Sequence, residues 1–240
     1  MIKAISFDFY GTLATWDPSG DKLQLEAAKA EGLKVDATKI GEAYASADNY
    51  LAFENSISPI SMRSYSERNK ILIEYERVLL ATLCPDATKK IAQRVWERIE
   101  STPKQLKSYE SARAILENLI SRQLKIGIIS NIAEGLTQVV NNSGLEGLSG
   151  FMVSSGEVGH SKPHPAIFEA ALKACGVHPH EMIHVGDSLE GDVHGALGSG
   201  IHAILIDRNK SKNISKSEKF YVIPCIEKLL PLLKANFNIL

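Results

Sequence analysis

The run IKAISFDFYGTL at residues 2–13 decides the fold. Residues 2–7 are short and mostly apolar, and they stop on Asp8, with Tyr10-Gly11-Thr12 close behind. A short apolar run bounded by turn residues suits a strand buried on both faces. Working outward, the pattern recurs at residues 124–129 (LKIGII, ending in Ser130-Asn131), 182–185 (MIHV, ending in Gly186-Asp187) and 203–206 (AILI, ending in Asp207).

Helical patterns lie between these runs. Ala112, Ile115, Leu116, Leu119 and Ile120 keep the i, i+3, i+4 spacing, and Leu136, Val139 and Val140 begin a second helix closed by Gly144. Ile167, Phe168, Ala171, Leu172 and Cys175 make a third, with Pro165 near its start and Gly176 just past its end. Strands alternating with helices predict an α/β fold, a Rossmann-like parallel sheet with helices on both faces. In such sheets ligands bind beyond the carboxyl ends of the strands. Asp8, Ser130-Asn131 and Asp187 all fall there, so separate segments converge on one edge.

Residues 14–105 break the alternation. The stretches 23–32, 40–53, 64–83 and 88–99 read as helices, with no clear strand among them. The expected organisation is therefore an α/β core from residues 1–13 and 106–240, with an all-helical domain, 14–105, inserted after the first strand. An insertion there would lie over the strand ends and act as a lid. Its aromatic residues Trp16, Tyr44, Tyr50, Phe53, Tyr65 and Tyr75 are expected to pack this domain, with some of them lining the pocket as the alternative.

Composition narrows the function classes. Lys and Arg number 27 against 28 Asp and Glu in 240 residues, a net charge of −1. Nucleic-acid backbones and anionic membranes are bound through excess Lys and Arg, so neither is an expected partner. The basic stretch at residues 210–219, KSKNISKSEK, reads as a solvated loop. Cys84, Cys175 and Cys225 are odd in number and widely spaced, which gives neither a disulfide framework nor a zinc site. No apolar run reaches membrane-span length, and the N-terminus reads as a strand rather than a leader, so a cytoplasmic protein is expected.

Four segments in order, DFYGTL (8–13), SN (130–131), KPHPAIF (162–168) and GDSLEGD (186–192), resemble the motifs of the haloacid dehalogenase superfamily, hydrolases dominated by phosphatases. The helical insertion is similar to that family's cap. The resemblance implies that Asp8 is a nucleophile forming a covalent ester, splitting one difficult step into two. Thr12 would hold the loop or a ligand oxygen; Ser130 and Asn131 would bind the substrate anion; Lys162 would balance the charge of Asp8 and phosphate. It further implies Mg²⁺, with Asp8, Asp187 and the Tyr10 carbonyl as ligands and Asp192 orienting a metal-bound water, a place for which Glu190 competes. Acids gathered around Asp8 would repel one another without a cation. His164 lies next to the Lys162-Pro163 pair, while His184 is expected to be a core or edge residue.

The first motif departs from the phosphatase pattern. Most family phosphatases carry a second Asp two residues after the nucleophile, as acid and then base; here Tyr10 stands there. A phenol titrating near pH ~10 is a poor substitute. Tyr at this position instead resembles the family's 2-haloacid dehalogenases, in which the nucleophile displaces halide from carbon without metal. Those enzymes lack the acidic fourth motif and place an arginine in the early cap, whereas residues 41–59 hold none and Arg63 and Arg68 come later. The retained acids favour a Mg²⁺-dependent phosphatase acting on a small phosphate ester. A 2-haloacid dehalogenase is the alternative, and a catalytically weak binding relative is a second one.

Overall fold

The computed structural model describes residues 1–208, 215–237 and 239, so residues 210–214 of the basic stretch lie outside the described residues. In chain order the strands are β1 (Ala4–Phe7), β2 (Ala14–Asp17), β3 (Gln105–Ser108), β4 (Lys125–Ser130), β5 (Phe151–Ser154), β6 (Met182–Gly186), β7 (His202–Ile206), β8 (Ser215–Lys216) and β9 (Tyr221–Ile223). The helices are α1 (Gly20–Ala30), α2 (Ile40–Ile57), α3 (Tyr65–Leu83), α4 (Lys89–Ser101), α5 (Ala112–Ser121), α6 (Leu136–Val140), α7 (Ser155–Val158), α8 (Pro165–Cys175), α9 (Gly195–Gly198) and α10 (Leu229–Phe237).

Seven strands form one sheet in the order β5-β4-β1-β6-β7-β9-β8, parallel throughout except for the β8–β9 edge pair. The period of two along each strand sorts side chains onto two cores. Ile5, Phe7, Ile126, Ile128, Ile183, Val185, Ile204 and Ile206 pack one face against α5, α6 and α10. Ala4, Ile129, Met182, Ala203 and Leu205 pack the other against α8 and α9. Burial on both faces explains why these strands read as unbroken apolar runs.

Helix ends follow local chemistry. Pro165 occupies the first turn of α8, its N-cap residue His164 accepts the Ala166 N–H on Nδ1 at 3.2 Å, and Gly176 closes the helix at φ +64°. Ser64 and Glu67 form a reciprocal capping box at the start of α3.

The chain divides into two compact units, Met1–Thr15 with the chain from Leu106 onward, and Trp16–Gln105. The second contains α1 to α4, with small cores in which Leu80, Ala92 and Val95, and Ala43, Ala47 and Leu79, are buried. The inserted segment 14–105 is not strand-free: β2 opens it, β3 begins at its last residue, and the two pair as a separate two-stranded sheet. Each has four residues with partly exposed side chains, too short and polar to show as a periodic run. Phe53 and Tyr65 do not pack the helical unit. They are 62% and 78% exposed, sitting near the end of α2 and at the start of α3, away from the buried stripes.

No helix among the described residues is long and apolar enough to cross a membrane. All three cysteines are free, two of them buried.

Candidate active site

The carboxyl ends of β1, β4 and β6 lie side by side, in register through Phe7–Ile128 and Phe7–Val185. Asp8 follows β1 directly, its N–H still bonded to the Val185 carbonyl at 2.9 Å, so the sheet itself aims this carboxylate. The chain then turns at Gly11, whose φ of +83° favours glycine, and a Cβ there would overlap the Asp187 carboxylate. Gly186 has the same role for Asp192, whose carboxyl group fills the space of a missing Cβ. Gly11 lets Asp187 approach the turn after β1, and Gly186 lets Asp192 approach the end of β6.

Asp8, Asp187 and Asp192 each present a carboxylate oxygen within 4.8 Å of the others. Asp8 and Asp192 are buried at 7% and 1% exposure, whereas Asp187 is open to solvent. Lys162 Nζ sits among them, donating to Asp8 Oδ1 at 2.5 Å, Asp192 Oδ1 at 2.6 Å and the Ile129 carbonyl at 3.0 Å. An ammonium has three donors, and all three are used. Asn131 clasps the Lys162 backbone, accepting its N–H at 2.8 Å and donating to its carbonyl at 3.1 Å. The carboxamide therefore positions Lys162. Ser130 is buried at the end of β4, opposite Ser154 of β5. Thr12 is fully buried and its hydroxyl reaches Asp187 Oδ1 at 3.5 Å. Tyr10 is 46% exposed on the turn beyond Asp8.

The electrostatics follow from this sharing. Burial disfavours charge on Asp8, and Asp192 adds to the effect; together they outweigh Lys162 and push the Asp8 carboxyl up. Burial also opposes ionisation of Asp192, but Lys162 and a hydrogen bond from His184 overcome it and hold that carboxyl well below the usual range. Lys162 loses stabilisation on burial and regains more from Asp192 and Asp8, so its ammonium is held above its ordinary range.

Glu190 takes no part in this cluster. It is exposed and its carboxylate meets His194 Nδ1 at 2.7 Å, leaving the inner place to Asp192. Arg63 is also otherwise engaged. Its guanidinium donates to Glu54 Oε2 at 2.8 Å, the Glu54 carbonyl at 2.6 Å and the Ser58 carbonyl at 3.0 Å. His184 is the core residue expected, but its pairing with Ser6 escapes a sequence reading. Ser6 and His184 pair across β1 and β6 behind the acids, and His184 Nε2 lies 3.1 Å from Asp192 Oδ1. The one available signal was a histidine and a serine at positions of the strands that the period of two turns inward.

Family comparison agrees with the strand-end geometry: residues 2–200 match the family described as haloacid dehalogenase-like hydrolase. The chain belongs to this family. A haloacid dehalogenase-like hydrolase domain-containing protein 3 of Bos taurus is 27% identical over 236 residues, covering 92% of this chain and 93% of that one. A phosphoserine phosphatase of Thermus thermophilus is 37% identical over 101 residues, 42% of this chain and 41% of its own length. The crystal structure of a dehalogenase with an intermediate complex superposes with a TM-score of 0.64 at 21% identity, covering 96% of each chain, a likeness in fold. This haloacid dehalogenase-like hydrolase thus resembles named phosphatases in sequence and a named dehalogenase in shape.

Proposed function

We propose that this hydrolase is a Mg²⁺-dependent phosphatase of small phosphate esters, with Asp8 as nucleophile. The observation carrying the reading is the cluster of Asp8, Asp187 and Asp192, whose oxygens lie within 4.8 Å of one another. When all three are ionised, the single ammonium of Lys162 leaves an excess of two negative charges. A phosphate ester adds more, and like charges gathered at such distances are unfavourable without a cation. Three hard oxygen donors with one side open to solvent fit Mg²⁺, which keeps several waters and shares substrate phosphate oxygens.

The bound ion would supply charge neutralisation and orientation of the phosphate. The chain supplies the rest. Asp8, fixed by β1, attacks phosphorus in line; the P–O bond to the alcohol breaks, and a water later cleaves the aspartyl phosphate, returning Asp8. Lys162 stabilises the charge of Asp8 and of the transferred group. Thr12 steadies Asp187, Ser130 offers its hydroxyl to the phosphate, and the Tyr10 backbone carbonyl would join Asp8 and Asp187 in holding the ion. Asp192 would orient a water on the bound ion. The helical unit serves as the cap that selects substrate. Tyr10 supplies no carboxyl acid, so turnover is expected to favour esters with good leaving groups.

Tyr10 also favours a second reading, halide displacement from a 2-haloacid by Asp8. Arg63 argues against it, since four of its five N–H donors are bound to Glu54 and Ser58 within the helical unit.

The test is phosphate release from a panel of small esters with Mg²⁺ and with excess chelator, using Asp8→Asn as control. Release requiring both the cation and Asp8 supports the phosphatase. Halide release that survives chelation replaces it with the dehalogenase, and neither activity leaves a binding protein.

A further inference from the structure

His184 lies fully within the sheet, 1% exposed, with Ser6 opposite it in register on β1. Its ring touches polar groups at both nitrogens, Ser6 Oγ at 2.9 Å from Nδ1 and Asp192 Oδ1 at 3.1 Å from Nε2. The ring face is set by Phe168 of α8, edge-on at 5.4 Å and 84°. These contacts fix the tautomer. An ionised carboxylate only accepts, so Nε2 must carry the hydrogen. In a neutral ring whose Nε2 carries the hydrogen, Nδ1 is an acceptor, and the Ser6 hydroxyl lies 2.9 Å from it and 3.6 Å from Met182 Sδ.

The consequence falls on Asp192. Its Oδ1 receives both Lys162 Nζ and His184 Nε2, and its Oδ2 receives the Ser188 N–H at 3.0 Å. Lys162 and His184 are the side-chain donors to this carboxylate, and of the two His184 is the one carried on a strand. The geometry points to His184, backed by Ser6, as a positioning residue that sets the Asp192 carboxylate and, through it, the Lys162 ammonium against Asp8. A histidine is suited to this place because it passes a hydrogen-bond direction from one strand to the next while filling a core position.

Asparagine and glutamine separate this role from simple packing. A glutamine side chain places its amide nitrogen near the position of imidazole Nε2, whereas asparagine reaches only as far as Nδ1. In a crystal structure, His184→Gln is expected to keep Asp192 on Lys162, and His184→Asn to release it. The kinetic arm rests on the phosphatase reading: His184→Asn should lower kcat by about 10- to 100-fold with little change in KM, and His184→Gln should recover most of that loss. Thermal unfolding of both variants checks that the difference does not follow stability. An Asp192 carboxylate unmoved in His184→Asn, or equal kcat in the two variants, overturns the proposal. Wild-type protein that releases no phosphate removes the phosphatase reading only, because the position of Asp192 is read without turnover. Ring ¹⁵N NMR of the wild type needs no variant: an Nε2–H tautomer is expected, and an Nδ1–H tautomer overturns the assignment.

Discussion

Glu76 is a carboxyl group buried in the helical unit at 1% exposure, where Gln24 Nε2 donates to its Oε1 at 2.5 Å. Burial pushes it from its ordinary 4.5 up to about 7, with the Gln24 bond pulling the other way. The folded-state value lies above the unfolded one, so the stabilising contribution is complete below about pH 4.5 and is lost as pH rises through 7. A difference of that size corresponds to about 3 kcal/mol. Urea unfolding at pH 5 and pH 8 should therefore show the helical unit weaker at pH 8. Glu76→Gln, which keeps the acceptor without the charge, should remove most of the difference; parallel losses in both proteins would contradict the burial argument. Tyr10 is the second residue of consequence. Tyr10→Asp restores the carboxyl acid that the site lacks, and phosphatase kcat toward esters of poor leaving groups should rise by about 10²-fold. No gain would mean that another group already donates the proton.

At the scale of elements, the end of α2 depends on one side chain. Arg63 binds the Glu54 carbonyl within the last turn and the Ser58 carbonyl just past it, besides the Glu54 carboxylate. The Glu54 carbonyl already accepts the Ser58 N–H at 3.2 Å, and a cation on these final carbonyls adds to that bond and complements the helix dipole. Arg63→Ala should cost the helical unit about 1–3 kcal/mol and leave KM for the preferred substrate unchanged. A steep rise in KM without loss of stability would transfer Arg63 to substrate binding and strengthen the dehalogenase reading.

At the scale of the whole molecule, two units make one unfolding free energy a poor description. On the proposed phosphatase reading, a cation held by Asp8, Asp187 and the Tyr10 carbonyl would bind only the folded sheet unit. Mg²⁺ at about a hundredfold over its dissociation constant should stabilise that unit by about 2.7 kcal/mol. Calorimetry should show the sheet unit's transition shifting upward with Mg²⁺ and returning with chelator. Asp187→Asn should abolish the shift; a shift that persists would place the cation elsewhere.

The sequence by itself determined the α/β class, the parallel strands β1, β4, β6 and β7, and the set of polar residues at their ends. Those strands are buried on both faces and must be apolar along their whole length, and their terminal acids interrupt the run where the sheet stops. Tertiary structure decided what local pattern cannot encode. The edge strands β5 and β8, and β9 beside β8, are only four, two and three residues long, too short to show a period, and their places in the sheet are set by pairing. Asn131 reads as an anion ligand in a Ser-Asn turn, yet a contact across 31 residues makes it the clasp of Lys162. Glu190 and Asp192 are two residues apart in one acidic loop, and only the backbone path sends Glu190 to solvent and Asp192 to Lys162. His184 looks like any buried strand residue until Ser6, 178 positions away, is set beside it. Hydrophobic period reports how a segment faces the core; the direction of a hydrogen bond between segments exists only once the strands are in register.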